Sequence, residues 1–285
     1  MAVKYSVNKQ IFKLCIFRQP HSLAHSAFTL KFAAKLRQTV QKKVRVGAVS
    51  YLNTKPLIYG FEHGIMKEEL DLIIDYPSKI AAMLLKDEID LGLIPVAVIP
   101  EMKEHHIISN YCIGSEGEVA SVCLFSEVPL YDIETILLDY QSRTSVALLK
   151  VLIKEHWKIN VAFENTSGDY ESKISGTTAG LIIGDRALMQ RKKSRFIFDL
   201  GEEWKNFTGL PFVFAAWVSN KKLAADTIQH FNETNAFGLN KIEEVVDQNS
   251  SKDFDLRHYY TDCISFEMDE NKKKGLRLFL EKLTK

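Results

Sequence analysis

The chain has few of the residues that carry metal, redox or nucleophilic chemistry. Its 285 residues include only four cysteines, none in a C-x-x-C pair and none with a histidine at zinc-finger spacing. The one histidine doublet, His105-His106, points its rings apart on a helix or a strand, which disfavours a metal site. A Ser/His/Asp arrangement and a G-x-x-x-x-G-K-[ST] phosphate loop are both missing. We therefore expect free, mostly buried thiols in a reducing compartment, and no metal.

Long apolar runs and a general positive charge are also missing. No stretch reaches the roughly 18 apolar residues of a membrane-spanning helix. A secretory signal would need an uninterrupted apolar stretch of about 7–15 residues and a small-residue cleavage site, and neither is found. Outside residues 1–43 there are 28 basic against 36 acidic side chains, a net charge of about −8. We expect a cytoplasmic protein that binds neither a membrane nor a nucleic acid.

Residues 1–43 form a basic extension with nine Lys/Arg and no Asp or Glu. This composition predicts a segment that is disordered, loosely packed and amphipathic, or not native because the translation start was assigned too early. It also resembles an organelle transit peptide, which stays an alternative. The functional protein is expected to begin near Val44.

From residue 44 onwards, short apolar segments alternate with helical patterns, which is typical of an α/β protein. The predicted strands of the first run are Val44–Val49, Leu70–Asp75, Ile89–Val98 and Ile107–Ile113. Those of the second run are Thr135–Asp139, Asn160–Phe163, Ala179–Gly184 and Phe196–Asp199. Two further strands, Val119–Phe125 and Phe212–Val218, are expected to connect the runs. The tail 222–285 is predicted to be helical, with Phe237, Ile242 and Val245 as buried contacts.

Two runs joined by two crossing strands predict a two-lobed fold like that of periplasmic solute-binding proteins. Each lobe would be a doubly wound sheet, and a ligand would bind in the cleft between the lobes. We assign residues 44–120 and 219–285 to the first lobe. Residues 121–218, including both crossing strands, are assigned to the second lobe. Either a monomer or a homodimer is compatible with this arrangement.

Four strand-to-helix turns should meet at the cleft: Ser50–Thr54, Pro95–Val96, Ser142–Ser145 and Gly184-Asp185. Helix N-termini with hydroxyl and amide side chains suit carboxylates, so the predicted ligand is a small anionic organic molecule. The candidate binding residues are Ser50, Tyr51, Thr54, Val96, Ser115, Ser142, Arg143, Thr144, Ser145 and Asp185.

Each of these candidates also has a structural interpretation. Ser142–Ser145 is the best carboxylate clamp, but the same residues suit a helix N-cap followed by a solvated Arg143. Asp185 could contact the ligand or complement the dipole of its own helix. Tyr51 and Trp204 could be cleft aromatics or core residues.

The segments SYLNTKPL, DLGLIPVAVIP, GSEGEVASVCLFS, SRTS, GDRAL and TGLPFVFAAW together resemble the chorismate dehydratase family over about residues 44–285. The resemblance implies a fold similar to type II periplasmic binding proteins, and a cytoplasmic enzyme of menaquinone biosynthesis that works without metal or organic cofactor. It also implies that Asn53, in the matching turn, is catalytic through orientation or charge stabilisation, since an amide cannot be a general base. Some family members have Ser where this chain has Pro95, so a hydroxyl contact at that turn does not carry over.

Other proteins share this fold, and three alternatives follow. A solute-binding protein would need export, and no signal sequence is visible. A related enzyme that forms a dihydroxynaphthoate carries a different turn after its first strand. A regulator's effector domain would follow a helix-turn-helix segment, which Pro20 and the absence of a second clear helix argue against.

Overall fold

The computed structural model describes residues 43–284, so the predictions for the basic extension lie outside the described residues, apart from its last position. The strands are β1 (Val44–Val49), β2 (Leu70–Asp75), β3 (Leu91–Pro95), β4 (His106–Ser115), β5 (Val122–Ser126), β6 (Thr135–Leu138), β7 (Ala162–Asn165), β8 (Thr178–Ile183), β9 (Phe196–Asp199), β10 (Phe212–Ser219) and β11 (Ser265–Glu267). The helices are α1 (Lys55–Glu62), α2 (Pro77–Leu85), α3 (Arg143–Val151), α4 (Asp185–Gln190), α5 (Leu200–Thr208), α6 (Ala225–Leu239), α7 (Ile242–Asn249), α8 (Leu256–His258) and α9 (Glu270–Leu283).

The strands form two sheets. One has six strands in the order β11-β4-β10-β3-β1-β2, and the other has five in the order β7-β6-β8-β5-β9. In the six-stranded sheet β1 runs parallel to β2 and β3, while β10 is antiparallel to β3 and β4. In the five-stranded sheet β6 runs parallel to β7 and β8, while β5 is antiparallel to β8 and β9. The predicted α/β class with two lobes is confirmed.

Strand β10 belongs to the six-stranded sheet, although the sequence analysis grouped it with the second lobe. Every residue of Phe212–Ser219 is buried, and the strand lies between β3 and β4. Its counterpart β5 lies in the five-stranded sheet, as grouped. The lobe boundaries themselves stay a prediction.

The largest aromatic residues fill the core. Trp217 packs edge-on against Phe231, and Trp204 packs edge-on against Phe212. Trp204 is fully buried, so its interpretation as a core residue applies and the cleft alternative does not. The described cysteines, Cys112, Cys123 and Cys263, are free and buried, as expected.

The tail differs from its prediction in two ways. It contains a short strand, β11, which pairs antiparallel with β4 and closes one edge of the six-stranded sheet. Phe237 is 39% exposed, because helix α6 turns its Phe231 and Asn235 side towards the core. Val245, on helix α7, is buried as predicted. Among residues 43–284, no helix combines the length and the apolar character needed to cross a membrane.

A buried carboxylate joins three segments at the edge of the sheet opposite the candidate site. Asp90 accepts hydrogen bonds from the backbone N–H of Arg45 (3.0 Å), from its guanidinium (2.8 Å), and from Lys221 Nζ (2.7 Å). Burial by itself raises the pKa of Asp90, but the bonds from Arg45 and Lys221 outweigh it and hold the pKa well below its usual range.

We expect Asp90→Asn to lower the free energy of unfolding at pH 7 by about 1–2 kcal/mol, a value discounted because both cations are partly exposed. A depressed carboxyl pKa stabilises the fold above the unfolded pKa of about 3.9 and loses that effect as the pH falls further. The difference between variant and wild type should therefore shrink below about pH 4. Urea denaturation at pH 7 and below about pH 4 measures this difference in the free energy of unfolding. The exposed Asp253→Asn serves as the control. An equal difference at both pH values would contradict the assignment.

Candidate active site

A cleft of about 440 Å³, including space open to solvent, lies at the carboxyl ends of the parallel strands of both sheets. The location is where open α/β sheets bind ligands. Its lining comprises Val49, Tyr51, Asn53, Pro77, Pro95, Ile113, Val122, Ser142, Ser145, Ile183, Gly184, Phe214 and Ala215. The structure thus brings residues from all four predicted turns into one cavity.

Asn53 lies on a single 3₁₀ turn, Leu52–Thr54, between β1 and α1. Pro56 then favours the start of α1, where its missing N–H costs nothing. Thr54 is buried and its hydroxyl donates to Asn53 Oδ1 (3.3 Å). Asn53 lines the cleft, and with its oxygen bonded to Thr54 the amide still has its two N–H donors available for a ligand.

The hydroxyls of Ser142 and Ser145 line the opposite wall. Ser142 caps α3: its Oγ accepts the Ser145 N–H (3.1 Å) and its hydroxyl donates to Ser145 Oγ (2.8 Å). The first N–H groups of a helix have no intrahelical acceptor, so the N-terminus of α3 presents donors and a partial positive charge here. This wall can hold a carboxylate.

Arg143 does not reach the cleft. Its guanidinium lies 3.2 Å from Glu101 Oε2, and its side chain is 45% exposed. The helix geometry explains this, because adjacent residues of a first turn point in different directions and Ser142 and Ser145 take the inward positions. The structure therefore favours the helix cap with a solvated arginine over a clamp that includes Arg143.

The other predicted residues lie around the cavity rather than in it. Ser50 is exposed, and Val96 is buried behind Pro95. Thr144 is buried and its Oγ1 accepts the N–H of Ala97 (3.2 Å), which joins α3 to the turn after β3. Ser115 is fully buried against Gly201 of α5 and away from the lining, and within residues 43–284 its hydroxyl has no hydrogen-bond partner.

Two contacts bridge the cleft next to Asn53. The hydroxyl of Tyr51 donates to Oε1 of Gln141, which belongs to the loop after β6. The N–H of Leu52 donates to Asp185 Oδ1 (3.1 Å) at the start of α4. Burial, followed by the charge of Asp139, raises the pKa of Tyr51 above its ordinary value, so this tyrosine remains a hydrogen-bond donor.

Behind this wall lies a charged network that the sequence analysis missed. The carboxylate of Asp139 is fully buried and accepts from Arg186 Nη2 (2.6 Å) and from the Tyr170 hydroxyl (2.9 Å). Arg186 also pairs with Glu171 (3.0 Å) and donates to Gln141 (3.2 Å). Two carboxylates thus neutralise the arginine. The only sequence signal was Asp139 at the end of a predicted strand.

Asp185 is an acid at the edge of the cleft. Burial raises the pKa of its carboxyl, while the Leu52 N–H and the charge of Lys55 oppose that rise. Across residues 43–284, no group of three or more His, Cys, Asp or Glu side chains is arranged to hold a metal ion.

A family model described as menaquinone biosynthesis matches residues 44–285. The chain belongs to this menaquinone-biosynthesis family. The resemblance on which the sequence analysis relied is thereby confirmed at the level of the family.

Two named relatives of comparable length are similar to this chain over most of its length. A chorismate dehydratase of Thermus thermophilus is 27% identical over 262 residues, which cover 84% of this chain and 94% of the relative. A chorismate dehydratase of Campylobacter jejuni is 28% identical over 248 residues, covering 82% and 95%.

A solved structure from Candida albicans, described as having the generic periplasmic binding protein fold, superposes with a TM-score of 0.60. Its sequence identity is 12%, and the superposition covers 85% of this menaquinone-family chain and 90% of the other. The predicted periplasmic-binding-protein-like fold is confirmed.

Proposed function

We propose that this protein is a chorismate dehydratase, a hydro-lyase that converts chorismate to 3-[(1-carboxyvinyl)oxy]benzoate and water. One observation carries the proposal: the Asn53 amide shares a cleft with the Ser142 and Ser145 hydroxyls at the N-terminus of α3. The similarity to two chorismate dehydratases over nearly their full lengths supports it.

The cleft suits a dicarboxylate that needs orientation more than strong acid or base chemistry. The ring loses its 4-hydroxyl and the proton on the carbon that bears the enolpyruvyl ether, so one C–O and one C–H bond break and water leaves. The ring becomes aromatic, which supplies the driving force. The protein then has to hold the dianion and stabilise the charge that develops as the bonds break.

Each wall of the cleft has a role in this proposal. The N-terminus of α3, with Ser142 and Ser145, holds one carboxylate through neutral donors and the helix dipole. Asn53 donates to the charge that develops on the opposite side. We assign the base to the substrate's own side-chain carboxylate, because the lining residues include no Asp, Glu or His. The reaction is redox-neutral and needs no organic cofactor, and we place it in the cytoplasm.

The test is to incubate the purified protein with chorismate, without added metal or cofactor, and to follow products by liquid chromatography and mass spectrometry. The expected result is an aromatic product lighter than chorismate by one water. Tight binding without turnover would instead favour a solute-binding or sensor protein, which the fold also serves. If the protein neither binds nor converts chorismate, the proposal is wrong.

A further inference from the structure

Leu52, the residue before Asn53, has both its backbone N–H and its carbonyl hydrogen-bonded to distant parts of the chain. The N–H of Leu52 donates to Asp185 Oδ1 (3.1 Å), 133 positions away, and its carbonyl accepts from the Tyr260 hydroxyl (2.8 Å), 208 positions away. A single 3₁₀ turn leaves its first N–H groups without internal acceptors, so its orientation depends on outside partners. The turn that carries Asn53 therefore takes its position from Asp185 and Tyr260.

Asp185 is badly suited to touch the substrate directly. A carboxylate beside a dicarboxylate repels it, and the cleft offers no free cation in its lining to offset that repulsion. Gly184 lines the cavity, whereas the Asp185 side chain turns to the Leu52 N–H. Its partly buried position strengthens a hydrogen bond to that donor.

We propose that Asp185 is a positioning residue for the dehydration: it orients Asn53 through the Leu52 N–H and does not bind chorismate. The inference rests on the proposed function and refines it. Asp185 follows β8 of the five-stranded sheet, and Leu52 follows β1 of the six-stranded sheet. The bond forms only when the two sides of the cleft are together, so closure of the cleft and orientation of Asn53 occur in the same step.

A pair of substitutions separates this role from the alternatives. Asp185→Asn keeps a side-chain oxygen that can accept the Leu52 N–H, and Asp185→Ala removes it. We expect the alanine variant to lose about tenfold in kcat with a smaller change in KM, and the asparagine variant to stay close to wild type. If Asp185 bound substrate or moved a proton, both variants would lose activity alike, and the inference would be wrong.

A double variant tests whether Asp185 acts through Asn53. Measured at high enzyme concentration, Asp185→Ala should cost much less in an Asn53→Ala background than in the wild type, because the group that it positions is gone. Purely additive losses would contradict the inference. As a matched control, Asn232→Ala removes another distant side-chain acceptor of a backbone N–H (Asn110, 2.8 Å), one that lies outside the cleft lining. It should lower the melting temperature without changing kcat.

The same assay distinguishes failure of the proposed function from failure of the inference about Asp185. A wild-type protein that does not dehydrate chorismate overturns the proposed function, and the inference falls with it. A wild-type protein that turns over, with Asp185→Ala folded and fully active, overturns the inference alone. Circular dichroism and melting temperature establish that each variant is folded before its kinetics are compared.

Discussion

Asn53→Ala is expected to reduce kcat for chorismate dehydration by about 10²–10³-fold, the usual cost of removing one donor that stabilises developing charge. The dissociation constant for chorismate should change only a few-fold. The amide cannot take a proton, and its acceptor is already engaged by the Thr54 hydroxyl. Its N–H donors therefore act most strongly where charge appears during the reaction, which lowers kcat and kcat/KM together when they are removed.

Two further variants make this test specific. Asn53→Asp keeps the shape but places a negative, acceptor-only group beside a dianion, so both turnover and binding should fall. Asn165→Ala removes an exposed asparagine on edge strand β7 and should leave turnover unchanged. Single-turnover kinetics with isothermal titration calorimetry separate the two quantities. A raised dissociation constant with unchanged kcat would mean that Asn53 only binds substrate.

The strands could be predicted from sequence because their signal is local. β3, β8 and β10 are almost continuous apolar runs, as expected for strands that are buried on both faces of the sheet. The predicted strand 89–98 was too long at its carboxyl end, since a 3₁₀ turn begins at Val96. The prediction for Val119–Phe125 began too early, because Ala120 has a positive φ of 61° and cannot continue a strand.

The missed elements depend on tertiary contacts. Helix α5 is only nine residues long, and the structure shows that Asp199 caps it, with a carboxylate that accepts the N–H groups of Gly201 and Glu202. Strand β11 has three residues and owes its existence to pairing with β4. Neither has enough periodicity of its own to stand out from its surroundings.

In the candidate site too, some features follow from the sequence and others depend on tertiary contacts. The meeting of four turns follows from topology, because the carboxyl ends of parallel strands share one edge of a sheet. Which residue of a turn points inward does not follow, as the outward Arg143 illustrates. The Asp139–Arg186 pair spans 47 positions, and its sequence neighbours give no reason to join those two residues.

The bridge across the cleft depends on a glycine at the end of β8. Gly184 has φ 65° and ψ −146°, a backbone conformation that is almost restricted to glycine. A Cβ at this position would also lie 3.2 Å from three ring atoms of Tyr51. That ring has little freedom to move away, because its hydroxyl is bonded to Gln141.

We therefore expect Gly184→Ala to raise the KM for chorismate about tenfold to a hundredfold, since backbone strain of about 1–3 kcal/mol and the displaced Tyr51 both oppose closure of the cleft. Gly209→Ala is the matched control. Gly209 has φ 72°, and a Cβ added there would have no neighbouring atom within 4 Å, so this variant adds strain without displacing a cleft residue. Both should lower the melting temperature, and only Gly184→Ala should change KM. Equal KM values in the two variants would show that the approach of Tyr51 to Gly184 does not control substrate binding.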